Sequence, residues 1–261
     1  MCADLTREAK EVAGSGDSVG TIPDADGRRW YALALVATAA DLLGAAPLVN
    51  DAAMQRYVNQ VGRWVALQSD KPRLNWRFGV TQDANVNSFA APAGYILITK
   101  GLYDRLNTEA ELASVLAHEI AHVVKGHHIR AMKSSARGDF LSSVAQIAAE
   151  KKGREDVKYA ANAFSGGTEI FVRGFDKNDE FESDLYGMVL TARAGYNPFA
   201  LPGVLTTLGN INPKDGAVSL LFSTHPSPRE RLDRIEASVG DKLDRYAGGI
   251  DNTATFARLH K

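Results

Sequence analysis

The chain has 261 residues, 45% of them hydrophobic and 23% charged, with a formal net charge of −1. That is enough apolar residue for one folded domain, and the near-neutral balance argues against a general nucleic-acid binder, which carries a basic excess. The single cysteine, Cys2, excludes both an internal disulfide framework and a zinc site built from several cysteines.

Residues 1–27 are broken by Gly14, Gly16 and Gly20 and are expected to be a disordered tail. Cys2 is either a stray exposed thiol or the lipid-acceptor cysteine of a bacterial lipoprotein, with the tail as a flexible tether to a membrane. A helix is expected over 29–43. The Ala-rich run 31–49 contains Asp41 and Pro47 and does not read as a spanning helix, which needs about 20 strongly apolar residues. A second helix is predicted over 51–68, capped by Asn50 or Asp51, with Met54, Val58, Val61 and Val65 on one face. Alternating or apolar runs at 74–80, 86–90 and 95–99 predict a small, largely antiparallel sheet. Thr108 and Glu111 have capping-box spacing and open a long helix reaching at least residue 125. Residues 136–177 hold a helical piece at 141–149 and several glycines, and a loop-rich excursion is expected there. Helices over 178–195, 198–208 and 228–239 close the pattern.

On the long helix, His118 and His122 are four residues apart and share one face, within reach of one ion. Two neutral imidazoles suit Zn2+. Glu119, beside the first histidine, is placed as general base to take the proton of a water activated by the metal. An exposed helix with two surface histidines is the plainer alternative. It fits poorly, because Leu116, Ala117, Ile120, Ala121, Val123 and Val124 surround the motif. A catalytic zinc usually takes three protein ligands. The best third candidate is Glu180, four residues before Asp184 on a predicted helix, with Asp184 placed to accept a hydrogen bond from a ligand histidine. The alternative is an acidic helix N-terminus, favoured by the macrodipole.

These motifs resemble those of the HtpX-type zinc metallopeptidases, the gluzincin family that includes the CAAX prenyl proteases. The resemblance is carried by Asn87-Ser88-Phe89-Ala90-Ala91-Pro92-Ala93-Gly94-Tyr95, by Gly101-Leu102, and by 109–117 running into His118-Glu119-Ile120-Ala121-His122. It continues in Glu180 to Asp184, an ExxAD element with Ser183 in place of the usual Ala, and in His225-Pro226 through Arg231. It implies an α+β, predominantly helical fold with a zincin-like core, one Zn2+ per chain, zinc ligands His118, His122 and Glu180, and Glu119 as base. It also implies that Asp184 and Arg231 support the ligands. The strand carrying Ala93, Gly94, Tyr95, Ile96 and Leu97 is implied to be an edge that binds substrate as an added strand. His225 has three open roles: stabilising the oxyanion, filling the fourth zinc position in a latent enzyme, or a structural role. His127 is expected to end the helix as a packing or capping residue.

The expected organisation is a tail at 1–27, one zinc metallopeptidase domain at 28–240 and an extension at 241–261. The expected function is an endopeptidase acting on unfolded or misassembled polypeptide in the bacterial periplasm, without nucleic acid. The alternative is a chaperone-like or assembly factor on the same zinc fold with little or latent protease activity.

Overall fold

The computed structural model describes residues 46–91, 94–131, 175–212 and 215–259. Cys2, the tail, the helix at 29–43, Ala93, the helical piece at 141–149 and all but the end of the 136–177 excursion lie outside the described residues.

The first helix, α1 (Ala52–Ala66), starts where Asp51 turns its carboxylate onto the backbone N–H groups of Ala53 and Met54, at 2.8 and 3.0 Å. Its Met54, Val58, Val61 and Val65 stripe is buried. Three strands follow: β1 (Arg77–Thr81), β2 (Ser88–Ala91) and β3 (Tyr95–Thr99). Their order is β1-β3-β2, with β2 antiparallel and β1 parallel to β3. The sheet is therefore mixed, not largely antiparallel as the strand pattern suggested. Parallel pairing needs a crossover of about a dozen residues. The stretch 82–94 supplies it, carrying β2 out to the far side of β3 before β3 returns beside β1. Alternation along a strand reports which face is buried, not which neighbour it meets, so this order was not readable from the pattern.

A short helix, α2 (Lys100–Tyr103), leads into α3 (Glu109–Lys125). Thr108 Oγ1 accepts the N–H of Glu111 at 3.0 Å, as the capping spacing predicts. Every residue of α3 from Leu112 to Val123 is buried, because the sheet, α1 and the next helix cover it from different sides. That next helix is α4 (Lys177–Arg193), followed by α5 (Ala200–Gly209), α6 (Gly216–Thr224), α7 (Pro228–Val239), a 3-10 turn at Asp244–Tyr246 and α8 (Thr253–Leu259). The molecule is α+β and mostly helical. Among the described residues no helix is long and apolar enough to cross a membrane.

Two contacts matter for the site. Gly187 of α4 packs on the backbone of α3: a Cβ there would lie 3.1 Å from the amide nitrogen of His118. The absent side chain lets the two helices approach closely enough for α4 to present its carboxylates to α3. The other contact anchors the N-terminus of α3. Buried Glu109 accepts from the hydroxyls of Tyr57 and Tyr196 and, at 2.7 Å, from the Asn252 amide. Phe256 of α8 is buried against Tyr57 and Tyr103, so the chain beyond 240 packs on the core. Glu109→Leu is expected to cost about 1–3 kcal/mol for each buried donor left without an acceptor. Urea unfolding checks this, with Glu109→Gln losing less; an unchanged Leu variant would contradict the anchoring role.

Candidate metal centre

One turn of α3 places His118 and His122 with their Nε2 atoms 3.1 Å apart. Glu180, in the first turn of α4, faces both: its Oε2 is 3.4 Å from His118 Nε2 and its Oε1 is 3.5 Å from His122 Nε2. A zinc ion with Zn–N and Zn–O distances of 2.0–2.1 Å and tetrahedral angles separates its donors by about 3.3–3.4 Å. The three observed spacings bracket that value. Both Glu180 oxygens are buried and neither receives a hydrogen bond, an arrangement that is costly unless a cation or proton answers it. Two imidazole nitrogens and a carboxylate at these distances are donor types that suit a zinc ion. His225, at the C-terminal end of α6, brings Nε2 to 3.7 Å from Glu180 Oε2. Its donor atom groups with those of His118 and Glu180, all within 4.8 Å of one another.

Around this cluster the side chains hold one another. Asp184 Oδ1 lies 3.0 Å from His118 Nδ1. Arg231 of α7 grips Asp184 with two N–H groups, Nε reaching Oδ2 at 2.9 Å and Nη2 reaching Oδ1. Arg231 is itself buried. Glu119 is also buried, and Ser88 Oγ of β2 donates to its Oε1 at 2.7 Å. Beyond the end of α3, His127 Nδ1 sits 3.0 Å from His122 Nδ1, and His127 Nε2 sits 3.2 Å from Glu182 Oε2. The Phe175 ring stacks on His122, with centroids 4.3 Å apart.

The charges sort themselves accordingly. Burial and the charge of Arg231 press the His118 imidazole towards neutrality, but the facing carboxylates of Asp184 and Glu180 outweigh them and push its pKa up to about 9. Burial, then the neighbouring His118 and His127, hold His122 well below the ordinary histidine value, so it is neutral. Burial lowers His127 more than the facing carboxylates raise it. Burial presses the Glu180 carboxyl up; the facing His225 and then His118 reverse this and keep it below its ordinary value.

The family model described as peptidase family M48 matches residues 52–239. The chain belongs to peptidase family M48. It is 30% identical over 193 residues to a putative beta-barrel assembly-enhancing protease of Vibrio cholerae, covering 71% of this chain and 39% of that protein. It is 29% identical over 194 residues to the beta-barrel assembly-enhancing protease of Escherichia coli, covering 73% and 40%. With the mitochondrial metalloendopeptidase OMA1 of Arabidopsis thaliana it shares 28% over 185 residues, 70% of this chain and 36% of that one. The chain thus spans about two-fifths of the length of the assembly-enhancing proteases it matches.

The M48 membership agrees with the resemblance read from the motifs, and a metalloprotease family implies a metal. The structure brings His118, Glu119, His122, Glu180, Asp184, His225 and Arg231 into one cluster. It does not place the expected substrate strand at an edge. Tyr95, Ile96 and Leu97 belong to β3, which is paired on both sides. Their backbone groups are already used in the sheet, and Gly94 only leads into it. Among the described residues the edge strand beside α3 is β2 instead. Three residues escaped the sequence reading. Ser88 lay in a matched motif, but its tie to Glu119 is a contact across the fold. Gly187 was an unremarked helix glycine. His127 was read as a packing or capping residue: it is buried, Gly126, at φ 71°, ends the helix and caps it, and the approach of His127 to His122 went unread.

Asp184 yields a measurable consequence. Burial raises its pKa, but the Arg231 charge, the Arg231 hydrogen bonds and then His118 hold it far below the usual carboxylate range. A depressed carboxyl contributes stability present above its unfolded pKa of about 3.9 and lost as pH falls towards the folded value. With chelator present, the native protein should therefore lose stability more steeply than Asp184→Asn below about pH 4. Denaturant titrations across that range check it, and equal slopes would mean that the buried pair does not form in solution.

Proposed function

We propose that the chain is a zinc-dependent endopeptidase, with one Zn2+ held by His118, His122 and Glu180. The observation that carries this reading is the approach, within 3.1–3.5 Å, of two imidazole nitrogens and a buried carboxylate without hydrogen-bond donors. Two nitrogens and one oxygen suit zinc rather than an all-oxygen metal. Bound there, the metal would lower the pKa of water and polarise the scissile carbonyl.

The rest of the work falls to side chains. Glu119, one residue from the first ligand, takes the proton of the attacking water and passes it to the leaving amine, a role worth about 10²–10⁴ in rate. Ser88 donates to Glu119 Oε1, which leaves Oε2 to carry that proton. Asp184 accepts the Nδ1–H of His118 and so turns its bare Nε2 towards the metal; Arg231 keeps Asp184 ionised and in place. An extended substrate would run beside β2, the strand that brings Ser88 to Glu119. Such binding requires an unfolded segment. That requirement, with the names of the bacterial relatives, supports unfolded or misassembled envelope protein as the substrate class and the bacterial periplasm as the location, with Cys2 as the optional membrane tether.

His225 supports a second reading, in which the enzyme rests latent. Its Nε2 approaches Glu180 almost as closely as the proposed ligand histidines do, which supports a fourth ligand where water would otherwise sit. The intact Glu119 argues against a pure binding or assembly factor, since binding has no use for a base at that point.

Glu119→Gln is expected to lose at least about 10²-fold of cleavage rate on an unfolded protein while retaining zinc; unchanged cleavage would remove the catalytic reading. Chelation of the native protein should abolish cleavage and added zinc should restore it. His225→Ala is expected to cleave faster than the native protein, because it opens the fourth corner. A slower variant would assign His225 to the oxyanion instead.

A further inference from the structure

A histidine that ligates a metal through one nitrogen needs an acceptor for the N–H on the other, or its tautomer and ring angle are free to change. His118 has Asp184. The group beside Nδ1 of His122 is no carboxylate but a second imidazole, His127, at 3.0 Å.

His127 is fully buried. An imidazole accepts at Nδ1 only when its own proton is on Nε2, and the surroundings of His127 Nε2 favour that. Glu182 Oε2 lies 3.2 Å away and Asp179 Oδ1 3.9 Å away. These two carboxylates are in turn paired with cations. Arg130 Nη2 lies 2.6 Å from Asp179 Oδ1 and 3.3 Å from Glu182 Oε2, and Lys125 Nζ lies 3.3 Å from Glu182 Oε1. His127, Asp179 and Glu182 have donor spacing that resembles a second metal site, but the Arg130 guanidinium already occupies the cation's place. What remains is a chain of groups that orders protons. The backbone is shaped for it: Gly126 takes φ 71° with nothing within 4 Å of where its Cβ would be. Its value is therefore conformational, turning the chain so that the next side chain points back at His122. Phe175 covers the other side of the His122 ring, and Ser183 Oγ flanks His127 Nδ1 at 3.2 Å.

We propose that His127 is the positioning residue for His122. Its Nδ1 accepts the Nδ1–H of His122, leaving His122 Nε2 bare for the metal, while its own Nε2–H is held by Glu182. The proposal rests on the zinc reading above and extends it outward from the ligands. The two ligand histidines are then held by parallel devices: His118 by Asp184 and Arg231, and His122 by His127, Glu182 and Arg130.

The test is zinc affinity of the full chain, measured by competition with a chromophoric chelator at neutral pH. His127→Phe keeps a buried ring and removes the acceptor; it should bind zinc about 10–100-fold more weakly. His127→Asn places an amide oxygen near the position of Nδ1 and should stay within a few-fold of the native protein. Glu182→Leu, at a half-exposed surface position, removes the far acceptor together with its surface pairs to Lys125 and Arg130, keeps the buried rings in place and should weaken zinc in the same direction. The proposal is overturned if the Phe variant binds as tightly as the native protein, or if Asn is as weak as Phe, which would make the effect one of packing. Should His127→Phe fail to fold, native-like affinity in Glu182→Leu overturns it. A native protein that takes up no zinc would sink the zinc reading itself, a different result from native uptake with unchanged variants.

Discussion

Two helices cross closely enough for a carboxylate on one to lie between two imidazoles on the other, and nearly everything about the site follows from that crossing. Gly187 permits it, because a side chain there would run into the backbone at His118. The result is a buried Glu180 whose oxygens receive no hydrogen bond. A folded chain does not keep such a group without return. The imidazoles of His118 and His225 and the nearby Arg231 all face that one buried charge.

The rest of the fold keeps the crossing in register. The sheet and α1 cover α3 on the sides away from α4, so the histidine-bearing helix has almost no exposed surface. The Glu109 network ties its N-terminus to α1 and to the chain beyond 240. Gly126 ends it with a left-handed turn. A helix fixed at both ends and packed on all sides presents His118 and His122 with little freedom, which is the condition for a preorganised site. Sheet and helix also meet functionally, since Ser88 on β2 reaches the carboxylate of Glu119.

Electrostatically, the site is layered outward from His118, His122 and Glu180. Neutral or proton-sharing imidazoles and one carboxylate lie innermost. Outside them sit Asp184 and His127, and outside those Arg231, Arg130 and Lys125. Cations at the periphery keep the intermediate carboxylates ionised, and ionised carboxylates fix which ring nitrogen carries a proton.

Much of this was legible in the chain itself. Helical periodicity put His118, Glu119 and His122 on one buried turn, and the four-residue spacing put Glu180 and Asp184 on one face of another. Capping residues Asp51 and Thr108 marked helix starts that the structure keeps. These features are local, set by backbone geometry within a few residues, and so a sequence carries them openly. Strand order, the edge beside the site, the role of Gly187 and the neighbours of His127 were not legible. Each depends on which distant segments meet. The β-strand pattern of 95–99 says that it is buried but not that it is central, and a histidine after a helix resembles a cap until the left-handed turn at Gly126 points it inward. The residue types and their spacing determined the chemistry this protein can hold. Only the packing of helix on helix and strand beside strand decided which groups face one another, because contact across a fold depends on the whole arrangement rather than on any stretch of it.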